Sequence, residues 1–188
     1  PEKEHPLMSQ KTATARPGSS SQIRDLAITA VSIVLVYVFT AVVNIKLPIA
    51  AAGGLIHLGN VPLFVAAILF GKRTGMIAGG IGMGLFDLLS GWTLWAPFTL
   101  VIVGCMGFVV GLVTEKKKSF PFYVLAMILA CIIKFVGYYI AEGIIYGNWI
   151  APAASIPGNL VQIGVAAVVT LIIIEPLRIA ASHTILKK

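Results

Sequence analysis

Apolar residues run through this chain in blocks, and the short connectors between them hold nearly all of the charge. A helix that crosses a bilayer takes about 20 mostly apolar residues, and residues 26–45 meet that length outright. The next block, 61–70, is apolar but short, and GKRTG (71–75) ends it. Residues 76–90 follow, with glycines at 79, 80, 82 and 84. Three further blocks, 96–113, 120–145 and 156–174, are divided by TEKKKS (114–119) and by the connector 146–155. The pattern predicts an all-α integral membrane protein with six transmembrane helices. A cleaved signal peptide at 26–45 is disfavoured, because the run exceeds the signal core of about 7–15 residues.

The connectors carry signals of their own. KLPIAAAGGLIHLGN (46–60) has glycines, a proline and few charges, which suits a loop folded back onto the membrane surface. Gly71/Gly75, Gly75/Gly79, Gly80/Gly84 and Gly107/Gly111 form small-xxx-small pairs, which let helix backbones approach closely. Phosphate binding is the weaker reading of these glycines, since no strand precedes them and no GKS or GKT follows. The first 22 residues, PEKEHPLMSQKTATARPGSSSQ, are polar and rich in Ser, Thr and Pro. They bury too little apolar area to fold and are expected to be disordered, with Met8 the expected native start. Residues 23–188 then form one six-helix transmembrane domain.

Composition agrees with the block pattern. The chain is 58% hydrophobic and only 11% charged, with a mean hydropathy of +0.96, whereas a soluble domain is about one quarter charged. The net charge of +7 does not indicate nucleic acid, because the basic residues sit between apolar blocks and report orientation. Lys11, Arg16 and Arg24 precede the first helix, and Lys72 and Arg73 join the second to the third. Lys116–Lys118 join the fourth to the fifth, and Arg178, Lys187 and Lys188 follow the sixth. If the helices alternate, all of these share one side and Lys46 stands alone on the other. Both termini are therefore expected in the cytoplasm, with 46–60, 91–95 and 146–155 facing outward. Cys105 and Cys131 lie inside apolar blocks without metal-ligand spacing and are expected to be packing residues.

Ionisable groups at membrane depth are costly and usually functional, so their heights matter. Asp87 lies 14 residues beyond Arg73, Lys134 lies 16 beyond Lys118, and Gln162 lies 13 before Glu175. At about 1.5 Å per residue each is roughly 20–24 Å from the cytoplasmic surface. Lys134, Tyr138 and Glu142 step by four and share one stripe of the fifth helix, and Asn159 and Gln162 share a face of the sixth. Asn159, Glu142, Trp92, Trp95 and His57 lie further out. Together these residues predict an outward-facing polar pocket with aromatic walls, the usual make-up of a small-molecule site. Competing readings exist for each: a structural Lys134–Asp87 ion pair, a solvated Glu142, tryptophans as interfacial anchors, and His57 as a loop hydrogen-bonder. The chain has no HExxH, GxSxG or P-loop motif, so neither enzymatic activity nor a cofactor or metal is expected.

GGLIHLGNVPLFVAAILFGKRTGMIAGGIGMGLFDLLSGWTLWAPFTLVIVG (53–104) resembles the S components, the substrate-capture subunits, of energy-coupling factor (ECF) vitamin transporters. The likeness rests on an outer loop entering a short helix that ends FGKRTG, then a glycine-rich helix that ends FDLLSG. It extends over roughly residues 24–180. WAPFT after FDLLSG is most similar to members assigned to hydroxymethylpyrimidine or pyridoxine-type rings.

The resemblance implies a subunit in the plasma membrane of a bacterium. It would bind its vitamin from outside beneath loop 46–60, then associate with a transmembrane coupling protein and two cytoplasmic ATPases. Docking would use the first helix, where LAITAVSIV offers Ala27, Ala30 and Ser32 without a strict AxxxA pattern. Trp92, Trp95 or Tyr138 would stack on the ring, and Glu142, Asn159 and Gln162 would bond its polar atoms. Lys134 would either donate to a ligand oxygen or neutralise Asp87. A self-sufficient ion-coupled transporter, with Asp87, Lys134 and Glu142 as a proton relay, is the rival reading, although no internal repeat is evident.

Overall fold

A computed structural model describes residues 19–46 and 55–184. Six α-helices appear in the order expected: α1 (Ser19–Val42), α2 (Asn60–Phe70), α3 (Lys72–Leu89), α4 (Ala96–Lys116), α5 (Phe120–Tyr146) and α6 (Ile156–Thr184). Residues 19–22, within the stretch expected to be disordered, form the first turn of α1; residues 1–18, Met8 included, lie outside the described residues. The fold is not wholly helical. The expected surface loop 46–60 contributes to a small antiparallel hairpin, β1 (Asn44–Lys46) and β2 (Leu55–His57), in which Ile45 stands opposite Ile56. The residues joining these strands, 47–54, also lie outside the described residues.

Four of the six helices are long and apolar enough to cross a membrane by themselves: α1, α4, α5, and α6 with the 3-10 turn Ala151–Ser155 that leads into it. The two exceptions have physical reasons. The 11 residues of α2 reach only about 16 Å, and nine of them are buried, so this helix is a core element. The apolar character of α3 is diluted by its glycines and by Lys72, Arg73 and Asp87. By contrast, α5 and α6 present Ile128, Ile132, Val136 and Ile140, and Val161, Val165, Val168 and Ile172, as exposed apolar stripes. Such stripes are expected of faces that meet lipid. The sixth helix runs ten residues past the predicted end at residue 174, where Arg178 bonds Glu175 one turn back at 2.7 Å.

The glycine pairs work as the sequence predicts, and they join α3 to α4. A Cβ on Gly107 would collide with the Gly75 carbonyl, and one on Gly80 would lie 2.8 Å from the Leu100 carbonyl. At the start of α3, Gly71 has φ +93°, which lets α2 turn back into α3 within one residue. At this end Lys72 bonds Glu115 at 3.0 Å, and Lys118 donates to the Leu69 carbonyl at 3.3 Å. The basic connectors α2–α3 and α4–α5 therefore meet at one end of the bundle. The core between the helices holds Leu63, Phe64 and Ile68 of α2 with Val103, Met106 and Val110 of α4.

Gly75→Val is expected to destabilise the bundle by about 1–3 kcal/mol through overpacking, since a Cβ there sits 2.8 Å from the Gly107 carbonyl. Gly164→Ala, where an added Cβ meets nothing within 4 Å, is the control and should leave the thermal midpoint in detergent unchanged or higher. Equal midpoints for the two variants would contradict the close-packing role.

Candidate substrate-binding site

At the end of the bundle away from those connectors, seven parts of the chain line a cavity of about 110 Å³. All nine residues predicted for a pocket line it. The fifth helix contributes Lys134, Tyr138 and Glu142, one residue per turn, as their four-residue steps require. Asn159 and Gln162 come from α6, Asp87 from the last turns of α3, and His57 from β2. Trp92 and Trp95 come from the α3–α4 connector. Gly91 has φ +85°, and this left-handed turn lets the Trp92 N–H reach back to the Asp87 carbonyl at 2.8 Å. Trp95 then packs 6.3 Å from Tyr138, centroid to centroid.

The partner of Lys134 differs from one of the two sequence readings. Its side chain is 3% exposed, and its ammonium donates to Gln162 Oε1 at 2.7 Å while lying 5.6 Å from the Tyr138 ring centroid. No Lys134–Asp87 ion pair forms. Among the described residues the ion pairs are Arg24–Asp25, Lys72–Glu115 and Arg178–Glu175. Gln162 and the Tyr138 face take the place of the carboxylate, so both Lys134 and Asp87 face the cavity. Glu142 is not a solvated helix-end residue either: it is 4% exposed and bonds the Ser155 hydroxyl at 2.6 Å. Trp149 does stay on the surface, 55% exposed, and stacks near Tyr139 outside the cavity.

Five lining residues escaped the sequence reading: Ile56, Phe86, Thr99, Ser155 and Gly158. Thr99 had a signal, since it follows Trp95 by one turn, and its hydroxyl meets the Tyr138 hydroxyl at 3.1 Å. Ser155 precedes Asn159 by four residues and Gln162 by seven, a helical spacing that the connector composition obscures. Ile56, Phe86 and Gly158 carry no chemistry that a sequence could flag. The full set offers an ammonium, two carboxyl groups, two amides, hydroxyls and aromatic faces in one small volume. That inventory is suited to hydrogen bonding and stacking with a small polar ring. Among the described residues, no group of three or more His, Cys, Asp or Glu is placed to hold a metal ion.

His57 is both a loop hydrogen-bonder and a lining residue. Its Nδ1 accepts the Gly59 N–H at 3.2 Å, which leaves the ring proton on Nε2. Burial, with the Lys134 charge adding to it, holds this imidazole down at about 3. The unfolded chain therefore takes up a proton below about pH 6.5 that the folded chain refuses. The stability that His57 contributes is complete above that pH and is lost as the pH falls toward 3. The thermal midpoint in detergent should drop less between about pH 7 and pH 5 for His57→Asn than for wild type, and equal slopes would contradict the neutral, buried ring.

Comparison with known proteins identifies the family. The model of the family "ECF-type riboflavin transporter, S component" matches residues 20–179. The chain is 30% identical over 154 residues to the thiamine precursor transporter HmpT of Lactococcus lactis subsp. cremoris, covering 82% of this chain and 87% of that protein. It is also 34% identical over 103 residues to an uncharacterized protein of Pyrococcus woesei, covering 55% of this chain and 69% of that protein. With the family match spanning nearly all of the helical bundle, the chain belongs to the S components of ECF-type transporters.

Proposed function

We propose that this S component captures a single-ring thiamine precursor of the hydroxymethylpyrimidine type in the cavity between α3, α5 and α6. The carrying observation is the convergence of the nine predicted residues on a cavity of about 110 Å³. That volume lies well under the roughly 300–1,000 Å³ of clefts for drug-sized ligands. Riboflavin, named by the family model, has three fused rings and a five-carbon chain, whereas a substituted pyrimidine is one ring. The HmpT likeness supports the smaller ligand. In this reading Trp95 and Tyr138 stack on the ring, and Glu142, Asn159 and Asp87 bond its nitrogen and amino groups. Lys134 donates to its hydroxyl.

The protein would sit in the plasma membrane as one six-helix domain over residues 23–188, with both termini in the cytoplasm. The basic connectors at the end opposite the cavity support that orientation, and α2 and α3 would complete the six spans inside the bundle. Delivery inward would need the coupling protein and two ATPases. Ala27 and Ala30 are exposed on α1 and available to a partner. Ser32 does not join them, because it is buried and bonds the Ile28 carbonyl at 2.7 Å.

Titration calorimetry of the purified chain with hydroxymethylpyrimidine, pyridoxine and riboflavin tests the reading, and hydroxymethylpyrimidine should bind most tightly. Lys134→Ala should weaken that binding at least about tenfold, or about 1.4 kcal/mol, with membrane insertion unchanged. Preference for riboflavin would overturn the ligand assignment. Uptake by vesicles holding this chain alone under a proton gradient would favour the ion-coupled rival.

A further inference from the structure

Gln162 stands between the ammonium of the cavity and the hairpin that walls it. Its Oε1 accepts from Lys134 at 2.7 Å, and its Nε2 donates to the His57 carbonyl at 3.4 Å. The two neighbours dictate this arrangement. An ammonium only donates and a backbone carbonyl only accepts. A side chain that joins them must accept at one end and donate at the other, which a carboxylate cannot do and an amide can. Lys134 thereby sets which way the amide points, although among the described residues it makes no hydrogen bond to the hairpin itself. The hairpin is otherwise tied to α1, through Asn44 Nδ2 on the Ala41 carbonyl at 2.7 Å. Among the described residues the Gln162 bond is its one hydrogen bond to α5 or α6.

We propose that Gln162 is a positioning residue: held by the ligand-facing ammonium of Lys134, its amide anchors the base of the β1–β2 hairpin to α6. The ammonium has three protons, and Gln162 takes one. A ligand oxygen can accept another without breaking the relay. A bound ligand therefore leaves the Gln162 bond to the hairpin in place, and that bond slows ligand release. What the coupling does for transport rests on the reading that this cavity is the ligand site. The coupling itself does not need a ligand.

Amide hydrogen exchange of residues 55–59 in the full chain, in detergent and without ligand, tests the relay. Lys134→Met, which removes a residue that makes no hydrogen bond to the hairpin, should speed exchange at Leu58 and Gly59 severalfold. Gln162→Met should do the same, and the double variant should add nothing further. Exchange at wild-type rates in Lys134→Met, or additive effects in the double variant, would overturn the coupling. Gln162→Glu guards against a fold defect, because it keeps an acceptor for Lys134 while putting a carboxylate oxygen, which cannot donate, in place of the donor to His57. It should loosen residues 55–59 while exchange in α3 and α4 stays at wild-type rates; an unchanged hairpin in this variant also overturns the coupling.

With hydroxymethylpyrimidine bound, Gln162→Glu should dissociate at least about tenfold faster, with association changed less than about threefold. Unchanged dissociation despite a loosened hairpin would overturn the role in release. Failure of wild type to bind hydroxymethylpyrimidine would strike the proposed function and leave the exchange result to decide the relay.

Discussion

The polar groups at the cavity end of this bundle are arranged around one buried ammonium. A lysine inside an apolar helix packing is unfavourable unless its charge finds partners, and Lys134 finds an amide and an aromatic face rather than a carboxylate. The choice has consequences. A tight ion pair with Asp87 would neutralise both groups against each other and leave little for a ligand to bond. An amide partner satisfies one of three donors and leaves the others directed at the cavity. Asp87 is likewise left to face the space across from α5. Complementary polar groups are thus held apart, and a ligand that fits between them gains bonds that the empty protein does not make.

Holding them apart needs a frame, and the α3–α4 pair supplies it. Gly75 and Gly107, with Gly80 against Leu100, bring two backbones together so closely that neither helix can accept a side chain there. Van der Waals packing of this kind is what holds helices together in lipid, where burial of apolar surface gives no preference between protein and bilayer. The frame places Asp87 and the two connector tryptophans. The other wall is built differently. The α5 stripe is joined to α6 by the Lys134–Gln162 bond and to the 3-10 turn by the Glu142–Ser155 bond. One side of the cavity is set by close backbone contact and the other by polar bonds inside it, so ligand chemistry acts most directly on the second.

The balance between what the sequence shows and what it hides follows the same division. Helix blocks, glycine contacts and the 134–138–142 stripe are local periodicities, and the chain states them openly. Counting residues from charged connectors gave the heights of Asp87, Lys134 and Gln162, and all three line one cavity. Height, however, does not fix azimuth. Asp87 and Gln162 were equally placed to meet Lys134, and only the rotation of α5 relative to α6 selects Gln162. Ser155 was hidden because the α5–α6 connector folds as a 3-10 turn, a structure with no apolar signature. The hairpin was hidden because each strand has only three residues, too few for alternation to be read. The burial of α2 was partly legible, since a helix apolar on every face yet too short to span must be enclosed by others.

The chemistry of the lining also bears on which ligands the site can tell apart. A pocket that rejects analogues by shape alone gains only about 1–3 kcal/mol per missing methylene, whereas one built to bond specific polar atoms discriminates far more strongly. Here the polar groups come from α3, α5, α6 and the 3-10 turn, and each faces the cavity from a different direction. In the proposed reading, a ligand that displaces one of these bonds without replacing it leaves a buried polar group without its partner, and that loss is large where water is excluded. The neutral His57 ring fits the same logic, since a second cation beside Lys134 would repel it and disrupt the geometry that Gln162 maintains. Under the proposed reading, specificity in this cavity rests less on its walls than on which polar atoms a ligand presents to Lys134, Asp87, Glu142 and Asn159.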